Sequence, residues 1–170
     1  FSDGQVLGAH ALKDEVTSNI YGGPAVQRNA DVASDQAGVW LAVWHSTEPV
    51  GEDVDGTYDI VLSRSTDGGK TWTPKAVVAP DPPGDLRDDL SPTVRTDGKG
   101  LWLAAWTSRG ALGSKLGIDS DILLARSTDN GATWSSPSPI NQGASEDWGS
   151  DVDVRLAYDG RGAWLAVWSS

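Results

Sequence analysis

The chain contains no cysteine and no methionine among its 170 residues. The first absence excludes disulfides and any mechanism that needs a thiolate, as nucleophile or as metal ligand. It also fits a secreted protein, so an extracellular or periplasmic location is the expectation. The second leaves Phe1 without a start methionine, and a natural start other than Phe1 is expected. The two histidines, His10 and His45, are too few and too separated for a zinc site. Cations are scarce: 13 Lys and Arg stand against 24 Asp and Glu, a net charge of −11. Nucleic acid needs clustered Lys and Arg for its phosphates, so it is excluded as a partner, and anionic membrane surfaces go with it. The acidity serves to keep a Trp-rich surface soluble. No apolar run approaches the ~18 residues of a membrane-spanning helix.

What the chain does have is a repeat. GVWLAVWHS starts at Gly38, GLWLAAWTS at Gly100 and GAWLAVWSS at Gly162, and 100 − 38 = 162 − 100 = 62. DIVLSRSTDGGKTW from Asp59 and DILLARSTDNGATW from Asp121 keep the same offset, 121 − 59 = 62. A fixed period of this size means stacked structural units. Within a unit, Asp153 to Asp159 alternates apolar and polar as a half-buried strand does. After a tight Gly turn, Ala163 to Ser169 is apolar on both faces, and such a strand must be covered on both sides. A third strand is predicted over Asp59 to Ser65 and Asp121 to Ser127, and a fourth from near Trp72 and Trp134 into VVAP and SPI. Four antiparallel strands per repeat with no helical pattern make one propeller blade.

The fold class is therefore all-β: a β-propeller of four-stranded antiparallel blades, about three of them in this chain. Residues 1–17 read as the last strand of a preceding blade, 24–80 and 86–142 as whole blades, and 150–170 as the first two strands of a further one. An open stack this short would leave Trp and Leu faces bare at each end. Closure into a larger ring is expected, either by further polypeptide or by other copies of the chain.

STDGGKTW (Ser65 to Trp72) and STDNGATW (Ser127 to Trp134) share the pattern S-x-D-x-G-x-x-W. Asp67 and Asp129 suit turn backbone N–H groups as acceptors, and Ser65 and Ser127 add hydroxyls. Gly69 and Gly131 supply a backbone conformation closed to other side chains. Trp72 and Trp134 fold back over the turn. All eight residues are thus read as structural. The pattern resembles the Asp-box, or bacterial neuraminidase repeat, of the sialidase superfamily. That resemblance implies a six-bladed propeller and, in an active member, an arginine cluster for a sugar carboxylate, a Tyr nucleophile activated by a Glu, and an Asp acting as acid and base. The same box occurs in other propellers, so it identifies a blade type and not a reaction.

The resemblance also marks candidate residues. Arg28 stands where the family's R-I-P arginine precedes an inner strand, although Asn29 and Ala30 replace Ile and Pro; in the next copy the arginine is Leu90, with Pro92 retained. Asp53 follows Arg28 at the family's spacing to its acidic Asp, 53 − 28 = 25. Arg109 resembles the arginine that ends the family's second strand. These three are the catalytic candidates. Arg87, on loop geometry, and Trp148, whose flat face suits a sugar ring, are the ligand-binding candidates. Tyr21, Tyr58 and Tyr158 sit in no recognisable nucleophile context, so no complete catalytic set is visible. Asp85, Asp88, Asp89, Asp147 and Asp151 offer oxygens to Ca²⁺, but without EF-hand spacing, and no cofactor is expected. Three functions remain open: part of a glycoside hydrolase, a non-catalytic propeller that binds a glycan or protein, and a structural module completed by assembly.

Overall fold

A computed structural model describes residues 26–50, 56–79, 87–109, 116, 119–144 and 148–170. Among the described residues ten strands run in chain order: β1 (Gln27–Ser34), β2 (Trp40–Ser46), β3 (Asp59–Ser65), β4 (Ala76–Val77), β5 (Asp88–Thr96), β6 (Trp102–Arg109), β7 (Ser120–Ser127), β8 (Ser138–Pro139), β9 (Val152–Tyr158) and β10 (Trp164–Ser169). They form two four-stranded antiparallel meanders, β1-β2-β3-β4 and β5-β6-β7-β8, and the pair β9-β10. Registers repeat with the sequence: Trp40 pairs with Ser65 and Trp102 with Ser127. These are propeller blades. The strand expected in residues 1–17 lies outside the described residues.

The fourth strand of each blade is shorter than its sequence suggested, two residues in β4 and two in β8. Pro74, Pro137 and Pro139 lack the N–H that a ladder needs. Isolated backbone bonds carry the edge on either side of the prolines, from Thr73 N–H to the Arg64 carbonyl at 2.8 Å and from Val78 N–H to Ile60 at 2.8 Å.

Both faces of β6 are covered, as a doubly apolar strand requires, whereas β10 keeps one face open. Trp102, Ala104 and Trp106 of β6 join Leu41 and Val43 of β2 and Ile60 and Leu62 of β3 in one core. Ala105, on the opposite face of β6, packs with Ile122, Val154 and Leu156 in a second. Trp44, Trp102 and Trp106 are buried, while Trp40, Trp164 and Trp168 are half-buried. Three apolar residues stand out on the end sheets: Val32 is 51% exposed, Leu165 60% and Val167 52%. Where a neighbouring blade lies against them, their counterparts are better shielded: Val94 and Ala105, one period from Val32 and Val167, are 0% exposed, while for Leu165 Leu103 is half-buried and Leu41, two periods away, is 0% exposed.

The two octapeptide turns share one carboxylate network. The Ser65 hydroxyl donates to Asp67 Oδ1 at 2.8 Å and accepts the Gly69 N–H at 2.9 Å. Asp67 Oδ1 accepts the N–H groups of Lys70 and Thr71 at 3.0 and 2.9 Å, and Oδ2 takes the Thr71 hydroxyl at 2.6 Å. Trp72 Nε1 donates back to the Gly69 carbonyl at 3.1 Å. Ser127, Asp129, Gly131, Ala132 and Thr133 repeat the carboxylate network. The Thr71 hydroxyl, then its N–H and Ser65, lower the Asp67 pKa to about 2, and Thr133 lowers that of Asp129 further. The second turn also locks two blades together. Arg64 Nε of β3 donates to the Asn130 carbonyl at 2.7 Å. Gly131, at φ +76°, leaves its Cα against Leu41: a Cβ there would lie 2.5 Å from Leu41 Cδ1.

At the same end, three more turns recur. Asp35, Asp97 and Asp159 each accept two turn N–H groups, for example Ala37 and Val39 at 2.7 and 2.9 Å for Asp35. With all these turns at one end, the longer connections collect at the other.

Candidate functional site

The inner strands β1, β5 and β9 begin at the loop end, and each carries one non-glycine residue in the left-handed region. These are Asn29 (φ 52°), Ser91 (φ 53°) and Asp153 (φ 58°), separated by 91 − 29 = 153 − 91 = 62. The ladder slips beside each: between Arg28 and Asp31, between Leu90 and Thr93, and between Val167 and Ser169 on the partner of β9. A bulge of this kind re-aims side chains, and its backbone conformation costs each residue about 1 kcal/mol or more.

Two cavities meet at these bulges. The first, about 320 Å³, is lined by Asn29, Ala30, Asp31, Ser91, Pro92, Thr93, Arg95, Asp153 and Arg155. The second, about 280 Å³, is bounded by Ser91, Arg109, Ser120, Ser150 and Asp153 among others, so the two share Ser91 and Asp153. Hydrogen bonds between blades fix the walls. Asn29 Nδ2 donates to Ser91 Oγ at 2.9 Å. Asp31 Oδ2 accepts from the Thr93 hydroxyl at 2.8 Å, the Val94 N–H at 3.0 Å and Arg95 at 2.7 Å. Burial alone would raise the Asp31 pKa; the bonds from Val94, Thr93 and Arg95 outweigh it and hold the carboxyl below its usual value. Arg155 is exposed and donates one N–H to the Val154 carbonyl at 2.8 Å. Behind Ser91 stands His45, 4% exposed, whose Nδ1 accepts the Ser91 N–H at 3.1 Å. Its ring meets Tyr58 edge-on at 4.9 Å. Burial first, and then the charge of Arg28, lower its pKa against the pull of Asp88.

The candidates from sequence fall in different places. Arg28 is exposed on β1, across the ladder from His45 and next to Asn29. Arg109 is exposed at the end of β6 and lines the second cavity. Arg87 is 2% exposed, and its guanidinium donates to Ser108 Oγ at 3.0 Å and lies 4.0 Å from Asp89. Trp148 is 84% exposed at the loop end. Asp53 lies outside the described residues, as do Tyr21, Asp85 and Asp147. Of the other two tyrosines, Tyr58 faces His45 and Tyr158 stacks on Trp164 at 4.7 Å. Among the described residues no three His, Asp or Glu side chains gather where they could hold a metal ion. Sequence reasoning missed Asn29, Asp31, Ser91, Arg95, Asp153, Arg155 and His45. The signal for three of them was present, because Asn29, Ser91 and Asp153 are one period apart at the head of each inner strand.

Blades of this design, with Ser-Asp-Gly-Trp turns at one end and a polar cavity at the other, define a propeller of the sialidase type. No family model matches the chain. A curated sialidase from Bacteroides fragilis (strain YCH46) is 33% identical over 135 residues, 69% of this chain and 25% of the relative. The solved structure of Hadza microbial sialidase Hz136 aligns with a TM-score of 0.53 at 26% identity, over 67% of this chain and 26% of that one. The chain belongs to the sialidase-like superfamily and spans about a quarter of the length of these relatives.

Proposed function

We propose that the adjacent cavities at the loop end receive a carbohydrate, and that this part of the propeller contributes binding rather than a nucleophile. The observation that carries the reading is the mixed lining around Ser91 and Asp153. Arg95, Arg109 and Arg155 only donate, Asp31 and Asp153 only accept when ionised, and Asn29 and Ser91 do both. Sugar hydroxyls, which donate and accept in turn, suit such a wall, and the volumes match the smaller ligand sites. An arginine there also suits an acidic sugar, through charge-assisted bonds. The exposed Trp148 ring adds a stacking face at the same end.

A second reading, hydrolysis of a sialoside by the whole protein, is favoured by the relatives named sialidase. It requires a nucleophile from outside the described residues, since Tyr58 and Tyr158 line neither cavity. Both readings need a closed ring. The exposed Val32, Leu165 and Val167 support closure by further blades, from the same polypeptide or from another copy. A glycan ligand supports an extracellular or periplasmic site of action.

A glycan array followed by titration tests the proposal. Retention of a carbohydrate that weakens at least tenfold in Arg155→Ala or Arg109→Ala is the expected result. No retained carbohydrate, or binding indifferent to both substitutions, overturns it. Turnover of a fluorogenic sialoside in the same preparation decides the second reading.

A further inference from the structure

We propose that His45 is a positioning residue that makes the shape of the two adjacent cavities depend on pH: the neutral ring holds the Ser91 bulge in place, and the imidazolium lets it go. The functional consequence rests on the carbohydrate reading above; the switch itself does not.

His45 has no counterpart in the repeat. One and two periods on, 45 + 62 = 107 and 107 + 62 = 169, stand Thr107 and Ser169. It is buried, on β2, and its Nδ1 is the acceptor for the Ser91 N–H at 3.1 Å. Ser91 lines both cavities and occupies a left-handed conformation at φ 53°. Its hydroxyl takes the Asn29 amide across the blade junction at 2.9 Å. A residue in that conformation needs outside support, and two bonds from neighbouring elements supply it. Protonation puts a hydrogen on Nδ1, so a donor then faces the Ser91 donor and the bond is lost. The groups around the ring set the balance. Arg28 lies opposite on β1 and disfavours a second cation, whereas Asp88 on β5 favours one. Asp88 Oδ1 is already engaged by the Tyr58 N–H at 3.2 Å, and the Tyr58 ring closes the third side.

The sign follows from the depressed pKa. The unfolded histidine, at its ordinary 6.5, takes up a proton before the folded one does. The contribution of the neutral ring is complete above pH 6.5 and is lost as the pH falls through the lower folded value.

The test is amide hydrogen exchange at Ser91, expressed as a protection factor from pH 7.5 down to the pH at which the His45 ring signals have titrated. The background carries His10→Gln, so that one histidine titrates. The protection factor is expected to fall at least tenfold as the His45 ring signals titrate. His45→Asn puts a non-titrating oxygen near the place of Nδ1 and is expected to keep the protection factor flat. Equal pH profiles in the two proteins overturn the switch. A second arm measures affinity for 3′-sialyllactose, expected to drop at least tenfold over the same range in the parent and not in His45→Asn. Failure of 3′-sialyllactose to bind at any pH counts against the carbohydrate reading for that sugar, and the exchange arm still decides the switch.

Discussion

Gly131→Ala probes the contact between blades more sharply than any other single change. The residue holds φ +76°, which costs a side-chain-bearing residue about 1–2 kcal/mol. Its new Cβ would fall 2.5 Å from Leu41 Cδ1, 2.9 Å from Cδ2 and 3.2 Å from Cγ. Leu41 is 0% exposed in the core between the two blades, so any shift of its side chain displaces packed neighbours. Overpacking of this kind adds about 1–3 kcal/mol, for a total of about 2–5 kcal/mol. Gly69→Ala, at φ +84° with nothing within 4 Å, isolates the backbone part at about 1–2 kcal/mol. Urea unfolding measures both. The deciding experiment is the cycle with Leu41→Ala, which alone should cost about 2–5 kcal/mol through the cavity it leaves. The new methyl at position 131 partly fills that cavity, so the double mutant should be at least about 1 kcal/mol more stable than the sum predicts. Additivity would show that the second turn does not seat on Leu41, and the reasoning would fail.

Three further substitutions follow from the same junction and its turns. Asp31→Ala leaves the buried Val94 N–H and Thr93 hydroxyl without their acceptor and should cost about 2 kcal/mol by thermal or urea unfolding, whereas Asp31→Asn, which keeps an oxygen, should cost less than half as much. Arg64→Ala removes the bond to the Asn130 carbonyl and should cost about 1 kcal/mol by the same assay. Asp67 and Asp129 are held below the ordinary carboxylate value of 3.8, so their contribution is complete above that pH and is lost as the pH falls towards about 2 at Asp67. Acid unfolding of Asp67→Asn with Asp129→Asn should accordingly show a flatter decline between pH 4 and pH 2 than the parent; an unchanged slope would contradict the network.

The period made the blades legible before any coordinates. Strands expected over Asp59 to Ser65 and Asp121 to Ser127 are β3 and, with one residue added at its start, β7. Alternation and double-faced apolar runs are properties of composition along a strand, and each copy carried them. The fourth strand, expected to run from near Trp72 and Trp134, was overestimated because Pro74, Pro137 and Pro139 interrupt its ladder. The site was much less legible. Asn29, Ser91 and Asp153 share a backbone conformation and not a residue type, so a motif search passes over them. His45 was weighed only as a metal ligand, although its value lies in accepting one N–H from a residue 46 positions away. Arg87, read on loop geometry, and Arg109, read as a strand-end arginine, were both candidates for the site. Burial separates them, since one holds Ser108 inside the blade and the other faces a cavity.

The central claim is that recurring residues build the blades and that the bulged loop end binds carbohydrate. Amide chemical-shift perturbation, as a retained carbohydrate is titrated into the protein, tests both halves together. The account predicts changes concentrated at Asn29, Ser91, Asp153 and Arg155 and extending to Arg109, with the turns around Asp67 and Asp129 unmoved. Changes centred on those turns, or none anywhere along the two cavities, would contradict it.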